Sequence, residues 1–467
     1  MNLDKLSATD RVFLDIEGGA LMMHIGAVMV FDGGDLVAAD GALDAARLTR
    51  LLEAGVSEAP RFRQVVREMP GLGAVWVDDP RYRVEDHVRH TALPRPGDDA
   101  QLMALAGRVF SHPLDRRHPL WEAWLVEGLS GGRFAMLIKA HHAMVDGVAG
   151  MAVLASLFRA EPGDHLPEIT PWSPRPAPRA IEIATALVTD SARSVVHALR
   201  DLRGTLSDGG AHARDVVGGL FDTLREGVVP ASPSSINPAE VGPRRTFAGL
   251  RLDLARAKAV RHALGGTLND VALTTVTAAL RRHLARRGDP VDEMRDFRAL
   301  VPVNLRPRQD DLGDGGNHIS LVLAQLPLSD ADARRRFEAV HRACDQLKHA
   351  SHEIEGAAFL ERIGDLGGPN VVSAVFRAAA MLRAFNVTVT NVPGPQLPLY
   401  VGRARMTSIH AVVPLFDHQG VGVAIASYDG GMFLGLYADP DAVPDVSALA
   451  DDVREAFEEL CTVAEIR

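Results

Sequence analysis

The chain has 467 residues, of which 47% are hydrophobic and 24% are charged, and its formal net charge is −10. This composition is typical of a globular protein, and the length predicts two domains, because single hydrophobic cores seldom grow so large. The negative charge argues against a nucleic-acid-binding protein, since phosphate recognition requires a basic surface. Two cysteines, Cys344 and Cys461, are too few for a disulfide scaffold or a cysteine-rich zinc site, although a disulfide between them stays open.

Neither a signal peptide nor a membrane-spanning segment is predicted. The N-terminus has no basic region followed by an apolar one, and no stretch reaches the roughly 18 uncharged apolar residues that a membrane span requires. We therefore expect a cytoplasmic protein, and any contact with a membrane is expected to be peripheral.

Helical and strand patterns alternate along the first part of the chain. We expect His24, which lies in the second predicted element, to be structural. The predicted elements are a short helix from Leu6 to Glu17 capped by Ser7 or Thr9, a strand from Met22 to Phe31, an amphipathic helix over residues 41–54, a short strand near Trp76, and a strand from Trp121 to Glu127.

The strongest chemical signal is a buried strand that ends in two histidines. Phe134 to Ala140 is almost continuously apolar, and it leads into His141 and His142. Side chains of neighbouring residues at a strand end point to opposite faces, so only one histidine can face a given cavity. We expect that one to be a general base, because neutral imidazole accepts a proton near pH 7, and the other to be structural.

An aspartate and a glycine follow the histidines. Asp146 can bond a ring nitrogen or anchor the turn, and Gly147 permits a close approach that a Cβ would obstruct, before a predicted helix from Val148 to Phe158. Two other interpretations stay open. The histidines can be ordinary hydrogen-bonded residues, or they can bind a metal together with Asp146, although no HExxH motif or cysteine cluster supports a metal site.

A change in composition after residue 160 predicts a domain boundary. Six prolines lie between Glu161 and Pro178, and they predict a linker because proline cannot continue a helix. Residues 181–229 have helical apolar spacing and predict either packing helices or an amphipathic helix on a lipid surface. We divide the chain into an N-terminal domain, a connector and a C-terminal domain, at residues 1–160, 161–243 and 244–467.

The C-terminal domain contains a helix start with polar residues in its first turn. Thr267 is predicted to cap a helix that runs to about Arg287, which places Asn269 and Asp270 where backbone N–H groups are unpaired. Such residues can simply support the cap. The other predicted elements are strands at Arg245–Leu252, Arg298–Leu305, Ile319–Leu326, Asn386–Pro395, Ile409–Leu415, Val421–Tyr428 and Met432–Ala438, and helices that begin at Asp253, at a cap on Ser329 and near Ser447.

Several short segments, in their order and spacing, resemble the bacterial wax ester synthase/diacylglycerol acyltransferase family of the CoA-dependent acyltransferase superfamily. No single segment is specific, but together they span nearly the whole chain. They are LSxxD…F (Leu6, Ser7, Asp10, Phe13), MHIG (Met23 to Gly26), PLW (Pro119 to Trp121), HHxxxDG (His141 to Gly147), ND (Asn269, Asp270), PVNLRP (Pro302 to Pro307) and TNVPGP (Thr390 to Pro395).

The resemblance implies a fold and an activity. The implied fold is α/β (α+β), with two chloramphenicol-acetyltransferase-like domains, each a mixed or antiparallel sheet flanked by helices, and an active-site tunnel at their interface. The implied activity is transfer of a long-chain acyl group from acyl-CoA to the hydroxyl of diacylglycerol or a fatty alcohol. Acyl-CoA is then a co-substrate, and neither a cofactor nor a metal is expected.

The resemblance also implies roles for individual residues. His142 is expected to be the general base, and Asp146 to pair with Arg306 so that the histidine turn is held in place. Asn269 and Asp270 are expected to position substrate or to bond the developing oxyanion. The sequence does not indicate an oligomeric state.

Two functions of other classes stay open. One is a condensation enzyme or acyltransferase that takes its acyl group from a phosphopantetheine arm on a carrier protein. The other is a non-catalytic lipid-droplet protein that has kept the fold, although the intact HHxxxDG motif weighs against it.

Overall fold

The computed structural model describes residues 4–69, 73–144, 157–163, 172–179, 181, 183, 230–304, 319–353 and 383–466. Their strands are β1 (Asp4–Lys5), β2 (His24–Phe31), β3 (Gln64–Met69), β4 (Gly73–Asp78), β5 (Val88–Ala92), β6 (Trp121–Leu129), β7 (Arg133–His141), β8 (Thr246–Asp253), β9 (Phe297–Asn304), β10 (Ile319–Leu326), β11 (Val387–Pro393), β12 (Tyr400–Val401), β13 (Ala404–Val412), β14 (Val421–Tyr428) and β15 (Gly431–Ala438). Their α-helices are α1 (Ala8–Ile16), α2 (Ala45–Ser57), α3 (Asp99–Phe110), α4 (Leu254–Leu264), α5 (Leu268–Arg286), α6 (Ala333–Glu353) and α7 (Val446–Val463).

Three sheets contain these strands. The small sheet has the order β1-β4-β3, the N-terminal sheet β12-β13-β2-β7-β6-β5, and the C-terminal sheet β10-β9-β11-β14-β15-β8. Most neighbours are antiparallel, but β5 runs parallel to β6, and β11 runs parallel to β9 and β14. The predicted mixed α/β class with two sheet-rich halves is confirmed, whereas the domain boundaries stay a prediction.

The N-terminal sheet is covered on both faces, which explains why its central strands are apolar throughout. Along β2, Met29 and Phe31 contribute to a core shared with α2, whereas Val28 and Val30 contribute to a core shared with α3. Successive side chains of a strand point to opposite faces, so each face receives every second residue. Burial of such side chains stabilises the fold by about 1.5–3 kcal/mol each.

A strand from the C-terminal half completes the N-terminal sheet. β13 pairs antiparallel with β2, and His410 lies opposite Val28 while Val412 lies opposite Gly26. The other edge of β2 pairs with β7. The two halves of the chain are therefore joined by backbone hydrogen bonds within one sheet.

Two glycines let the C-terminal sheet approach β13 closely. A Cβ on Gly249 of β8 would lie 2.9 Å from the His410 ring, and one on Gly435 of β15 would collide with the carbonyl oxygen of Ala411. A larger residue at either position would push the sheets apart.

The structure confirms two predicted helix caps and shows that a third is wrong. Ser7 caps α1 and Thr267 caps α5, each by accepting the backbone N–H three residues later. Ser329 does not cap α6, because it lies in the turn after β10. The side chain of Asp332, directly before the helix, instead accepts the backbone N–H of Arg335 at 2.8 Å.

Described parts of the connector lie against the small sheet. The Arg175 guanidinium bonds the Asp78 carboxylate at 2.8 Å, and Arg63 stacks over Trp172 with 4.8 Å from its guanidinium carbon to the ring centroid. Ile183 is buried with the valines of β3 and β4. The rest of residues 181–229, with the two interpretations of its helices, lies outside the described residues, as does most of the predicted helix after the histidines.

Candidate active site

The two histidines end β7 with different backbone positions. His141 is the last residue of the strand and lies opposite His24 of β2. His142 follows, and its backbone N–H donates to the carbonyl oxygen of Met23 at 2.8 Å. The ladder between β2 and β7 thus extends one bond past the strand and holds the backbone of His142.

His141 is fully buried and has the contacts of a structural residue. Its Nδ1 accepts the backbone N–H of Ala143 at 3.0 Å, so this nitrogen carries no proton. Its Nε2 lies 3.5 Å from Oε1 of Glu17, which is longer than an ordinary hydrogen bond. Both ring nitrogens therefore lie beside protein groups.

Glu17, directly after α1, connects several groups behind the histidines. Its Oε1 accepts the backbone N–H of Met23 at 3.1 Å, and its Oε2 accepts two N–H groups of Arg116 at 3.1 and 2.8 Å. Burial raises the pKa of Glu17, but the contacts with His141 and with the Arg116 guanidinium outweigh burial and bring that pKa down to about 2. Glu17 is therefore ionised at neutral pH.

His142 has the more exposed ring of the pair. The ring stacks on Phe13 of α1, with 4.0 Å between the ring centroids and 24° between the planes. Packing around the ring makes its protonated form costly, a backbone hydrogen bond opposes this effect, and His141 adds to it, so that the pKa of His142 is lowered to about 4. A neutral and partly exposed imidazole is able to accept a proton throughout the neutral pH range.

His24 is buried, and its contacts are those of a structural residue. Its Nε2 lies 3.0 Å from the carbonyl oxygen of Phe110 and 3.5 Å from the hydroxyl of Tyr437. Burial, and after it the charge of Lys139, lower the pKa of His24 to about 3. The ring therefore stays neutral and joins β2 to α3 and β15.

Asp270 completes the first turn of α5. Its Oδ2 accepts the backbone N–H of Thr267 and lies 2.8 Å from Nδ1 of His341 in α6, while the Thr267 hydroxyl accepts the backbone N–H of Asp270 at 3.2 Å. Asp270 is fully buried, and its Oδ2 is occupied by the cap and the histidine. These contacts assign Asp270 to the support of the helix start.

Asn269 connects two of the sequence motifs. Its side-chain oxygen lies 3.5 Å from the side-chain nitrogen of Asn391, so the ND segment meets the TNVPGP segment at the end of β11. Asn269 is partly exposed, unlike Asp270. Of these two residues, Asn269 is the one that has an accessible polar group.

An apolar cluster joins the two halves of the chain beside His142. Leu21 and Met23, which precede β2, are buried with Leu300 of β9 and with Phe416, and Phe13 packs at the edge of this cluster. Met23 also accepts the backbone bond from His142. The histidine end of β7 thus lies next to the contact between the N-terminal and C-terminal sheets.

Three predicted site residues lie outside the described residues. They are Asp146, Gly147 and Arg306. The proposed pairing of Asp146 with Arg306 therefore stays a prediction.

The described ranges offer no metal site, no disulfide and no membrane-spanning helix. They contain no group of three or more His, Cys, Asp or Glu residues arranged to hold a metal ion. Cys344 and Cys461 are buried free thiols, which answers the question of their pairing. In the same ranges, every helix is too short or too polar to cross a membrane.

The sequence predictions assigned no role to two residues of this site. Phe13 belongs to the LSxxD…F segment, and Glu17 follows it by four residues, which is the spacing of neighbours on one helix face. This four-residue spacing is the sequence signal that could have grouped Phe13 with Glu17. The contacts of these residues with the histidines are long-range, and no local pattern contains them.

Two family models match the chain. The model described as the wax ester synthase/diacylglycerol acyltransferase catalytic domain matches residues 6–272. The model described as the WS/DGAT C-terminal domain matches residues 315–461.

Similar proteins and structures agree with these matches. A protein of Mycobacterium tuberculosis named as a diacylglycerol O-acyltransferase is 30% identical, over 98% of this chain and 90% of that protein. The solved structure of a wax ester synthase/diacylglycerol acyltransferase from Marinobacter aquaeolei VT8 has a TM-score of 0.70 at 25% identity, over 99% of this chain and 100% of that one. A trichothecene 15-O-acetyltransferase from Fusarium sporotrichioides shares the fold, with a TM-score of 0.63 at 14% identity over 97% and 94% of the two chains.

Proposed function

Because the chain belongs to the wax ester synthase/diacylglycerol acyltransferase family, we propose that His142 is the general base of its acyl transfer. The chain is an O-acyltransferase that forms triacylglycerol or wax esters. The observation that carries the proposal is the contrast between the two rings. His141 is enclosed beside Glu17, whereas His142 is partly exposed and has a pKa lowered to about 4.

The reaction follows from the chemistry of a neutral imidazole. An alcohol is a poor nucleophile, so a ring nitrogen of His142 within about 3 Å takes its proton as the oxygen attacks the thioester carbonyl of acyl-CoA. The tetrahedral intermediate collapses, the carbon–sulfur bond breaks, and the protonated ring returns the proton to the departing thiolate. The products are an ester and free CoA, and His142 is neutral again.

The developing oxyanion requires donors that are already in place. We assign this role to Asn269, whose side chain is partly exposed beside Asn391, and to backbone N–H groups of the turn that contains Gly147. Asp270 acts indirectly, because its carboxylate holds the helix turn that carries Asn269. Arg306 is assigned to Asp146 and thereby to the geometry of the same turn.

The substrates are a long-chain acyl-CoA and a lipid alcohol, either diacylglycerol or a fatty alcohol, and no cofactor or metal takes part. A long apolar acyl chain requires an apolar tunnel, and we place that tunnel beside the cluster of Leu21, Met23, Leu300 and Phe416. Because the acceptor is a lipid, we infer peripheral contact with a membrane or with lipid inclusions. The protein is then expected to float with vesicles that contain diacylglycerol and to be released by mild detergent.

Replacement of His142 tests the proposed base. With palmitoyl-CoA and either dipalmitoylglycerol or hexadecanol, His142→Ala is expected to lower kcat by about 10²–10⁴, because the alcohol loses its proton acceptor. Release of free thiol and formation of the lipid product measure the rate. The matched control is His262→Ala on the exposed surface of α4, which is expected to keep the activity of the parent protein.

Three outcomes contradict the proposal. Near-normal turnover by purified His142→Ala excludes this residue as the base. Turnover of palmitoyl thioester only when it is loaded on a carrier protein, and not as free acyl-CoA, identifies a carrier-dependent enzyme. Lipid binding without turnover of either donor identifies the non-catalytic lipid-droplet protein.

A further inference from the structure

We propose that Phe13 is a positioning residue of the active site, and that its ring holds the His142 imidazole in the orientation from which it accepts the alcohol proton. The inference rests on the proposed role of His142 as the base. Phe13 acts through the imidazole and needs no contact with the reacting atoms.

The stack restricts the motion that matters for proton transfer. The backbone of His142 is held by its bond to the Met23 carbonyl oxygen, so the remaining freedom of the imidazole is rotation about its two side-chain bonds. The Phe13 ring lies 4.0 Å from the imidazole, with 24° between the planes, and covers one of its faces. Rotation of the imidazole out of this plane would displace the phenyl ring or lose the contact.

Helix α1 is built to hold that phenyl ring in place. A capping box between Ser7 and Asp10 closes its first turn, and Leu14 is buried in the N-terminal core. At the other end, Arg116 donates to the Leu14 carbonyl oxygen at 2.8 Å and to Glu17 at the same distance. The position of α1 is therefore determined at both ends.

The spacing along α1 assigns one helix face to both histidines. Phe13 stacks on His142, and Glu17, four residues later, lies 3.5 Å from His141. Residues i and i+4 are neighbours on a helix surface. A shift of α1 would therefore change both contacts together, so the helix couples the enclosed histidine to the exposed one.

The stack also excludes water from one face of the imidazole. Among the titratable groups in the described ranges, His141 is the one that acts on the pKa of His142, and it lowers that pKa; Glu17 and His24 lie beside His141. None of these is an acid in direct contact with His142 that would favour its protonated form. Removal of the phenyl ring exposes one imidazole face, and water then stabilises the charged form.

Three variants separate positioning from stability. Phe13→Leu removes the ring but keeps an apolar side chain, Phe13→Tyr keeps the ring, and Leu48→Ala removes a buried side chain of α2 without changing α1. Phe13→Leu is expected to lower kcat about 10- to 100-fold at pH 7 with little change in KM, because small displacements of a catalytic group are costly. Phe13→Tyr is expected to recover most of this loss.

The pH dependence gives a readout that a merely structural role would not change. In Phe13→Leu the acid limb of kcat/KM is expected to move upward, towards the ordinary histidine pKa of about 6.5. In Leu48→Ala the melting temperature is expected to fall while the acid limb keeps its position. Equal acid limbs in Phe13→Leu and the parent protein, or equal loss of kcat in Leu48→Ala, would overturn the proposal.

A direct titration distinguishes failure of this inference from failure of the proposed base. The ring signals of labelled histidine are followed by NMR, and the His142 signal is assigned by its absence in His142→Ala. If the pKa of His142 is unchanged in Phe13→Leu and His142 is still essential for turnover, only the proposed role of Phe13 is overturned. A shifted pKa together with an active His142→Ala variant overturns the proposed base instead.

Discussion

The two histidines at the end of β7 have different neighbours. His141 and His142 are adjacent, yet one lies beside the Glu17 carboxylate and the other beside the Phe13 ring. Packing against an aromatic face without a counter-charge favours the neutral form of the His142 imidazole. This contrast between two identical side chains is what assigns the base role to His142.

The pH dependence of the reaction should reflect this environment. Since burial lowers the pKa of His142 to about 4, the base stays neutral well below the ordinary histidine range. We expect kcat/KM to be flat from about pH 8 to pH 5 and to fall about tenfold per pH unit once the ring is protonated. Initial rates in a constant-ionic-strength buffer series measure the profile.

A control is needed because the fold also responds to acid. Samples held at each pH and returned to pH 7 should recover their activity, which separates protonation of the base from unfolding. An acid limb centred near pH 6.5 in a protein that passes this control would contradict the neutral and desolvated ring.

At the scale of elements, buried ion pairs fix the contacts between helices. Asp452 of α7 is almost fully buried, and both of its carboxylate oxygens bond the Arg286 guanidinium of α5, one of them at 2.6 Å. The Arg286 side chain is about half exposed. Removal of Arg286 and removal of Asp452 should therefore have different effects on the free energy of unfolding.

We expect an asymmetric effect of breaking this pair. Arg286→Ala leaves a buried carboxylate without its partner and should lower the free energy of unfolding by about 3–5 kcal/mol. Asp452→Ala leaves an arginine that water can solvate, so it should lower that free energy by only about 1–2 kcal/mol. Denaturant unfolding of both variants and of the double variant measures the difference, and equal losses would contradict the assigned burial.

At the scale of the whole molecule, the shared sheet makes the two halves depend on each other. β13 lies in the N-terminal sheet between β2 and β12, whereas β14, which follows it along the chain, lies in the C-terminal sheet. If the C-terminal half unfolds, the N-terminal sheet loses the strand that covers one edge of β2. We therefore expect the two halves to unfold together.

The positions of the tryptophans and cysteines allow a direct test. All four tryptophans lie at or before Trp172, whereas the two buried thiols lie at Cys344 and Cys461. Tryptophan fluorescence and pulsed thiol labelling should therefore report the same guanidinium midpoint from opposite halves. Two separate midpoints would show that the halves unfold independently.

A variant at the contact between the sheets should move both midpoints. Gly249→Ala places a Cβ against the His410 ring and should lower the free energy of unfolding by about 1–3 kcal/mol. Gly18→Ala, where the added Cβ meets open space, is the matched control and should leave both midpoints unchanged. A shift confined to the thiol signal would place the effect in the C-terminal half alone.

Periodicity and capping made most of the elements predictable. β10 and β14 have the predicted bounds, and the caps at Ser7 and Thr267 were recognisable because the capping residue bonds a backbone N–H only three residues away. Ser329 was a wrong cap, because Asp332 stands closer to the helix start. α3 was not predicted, although its capping box at Asp98 is a local signal of the same kind.

By itself, the sequence determined the family, the mixed α/β class and the pair of histidines at a strand end, because motif order and apolar alternation are local properties. Only the tertiary structure decided that β13 crosses into the N-terminal sheet, that Glu17 lies beside His141, and that Phe13 covers His142. These contacts join residues more than a hundred positions apart, and a side chain's pKa and orientation depend on whichever atoms packing brings next to it. No pattern within a short window contains that information.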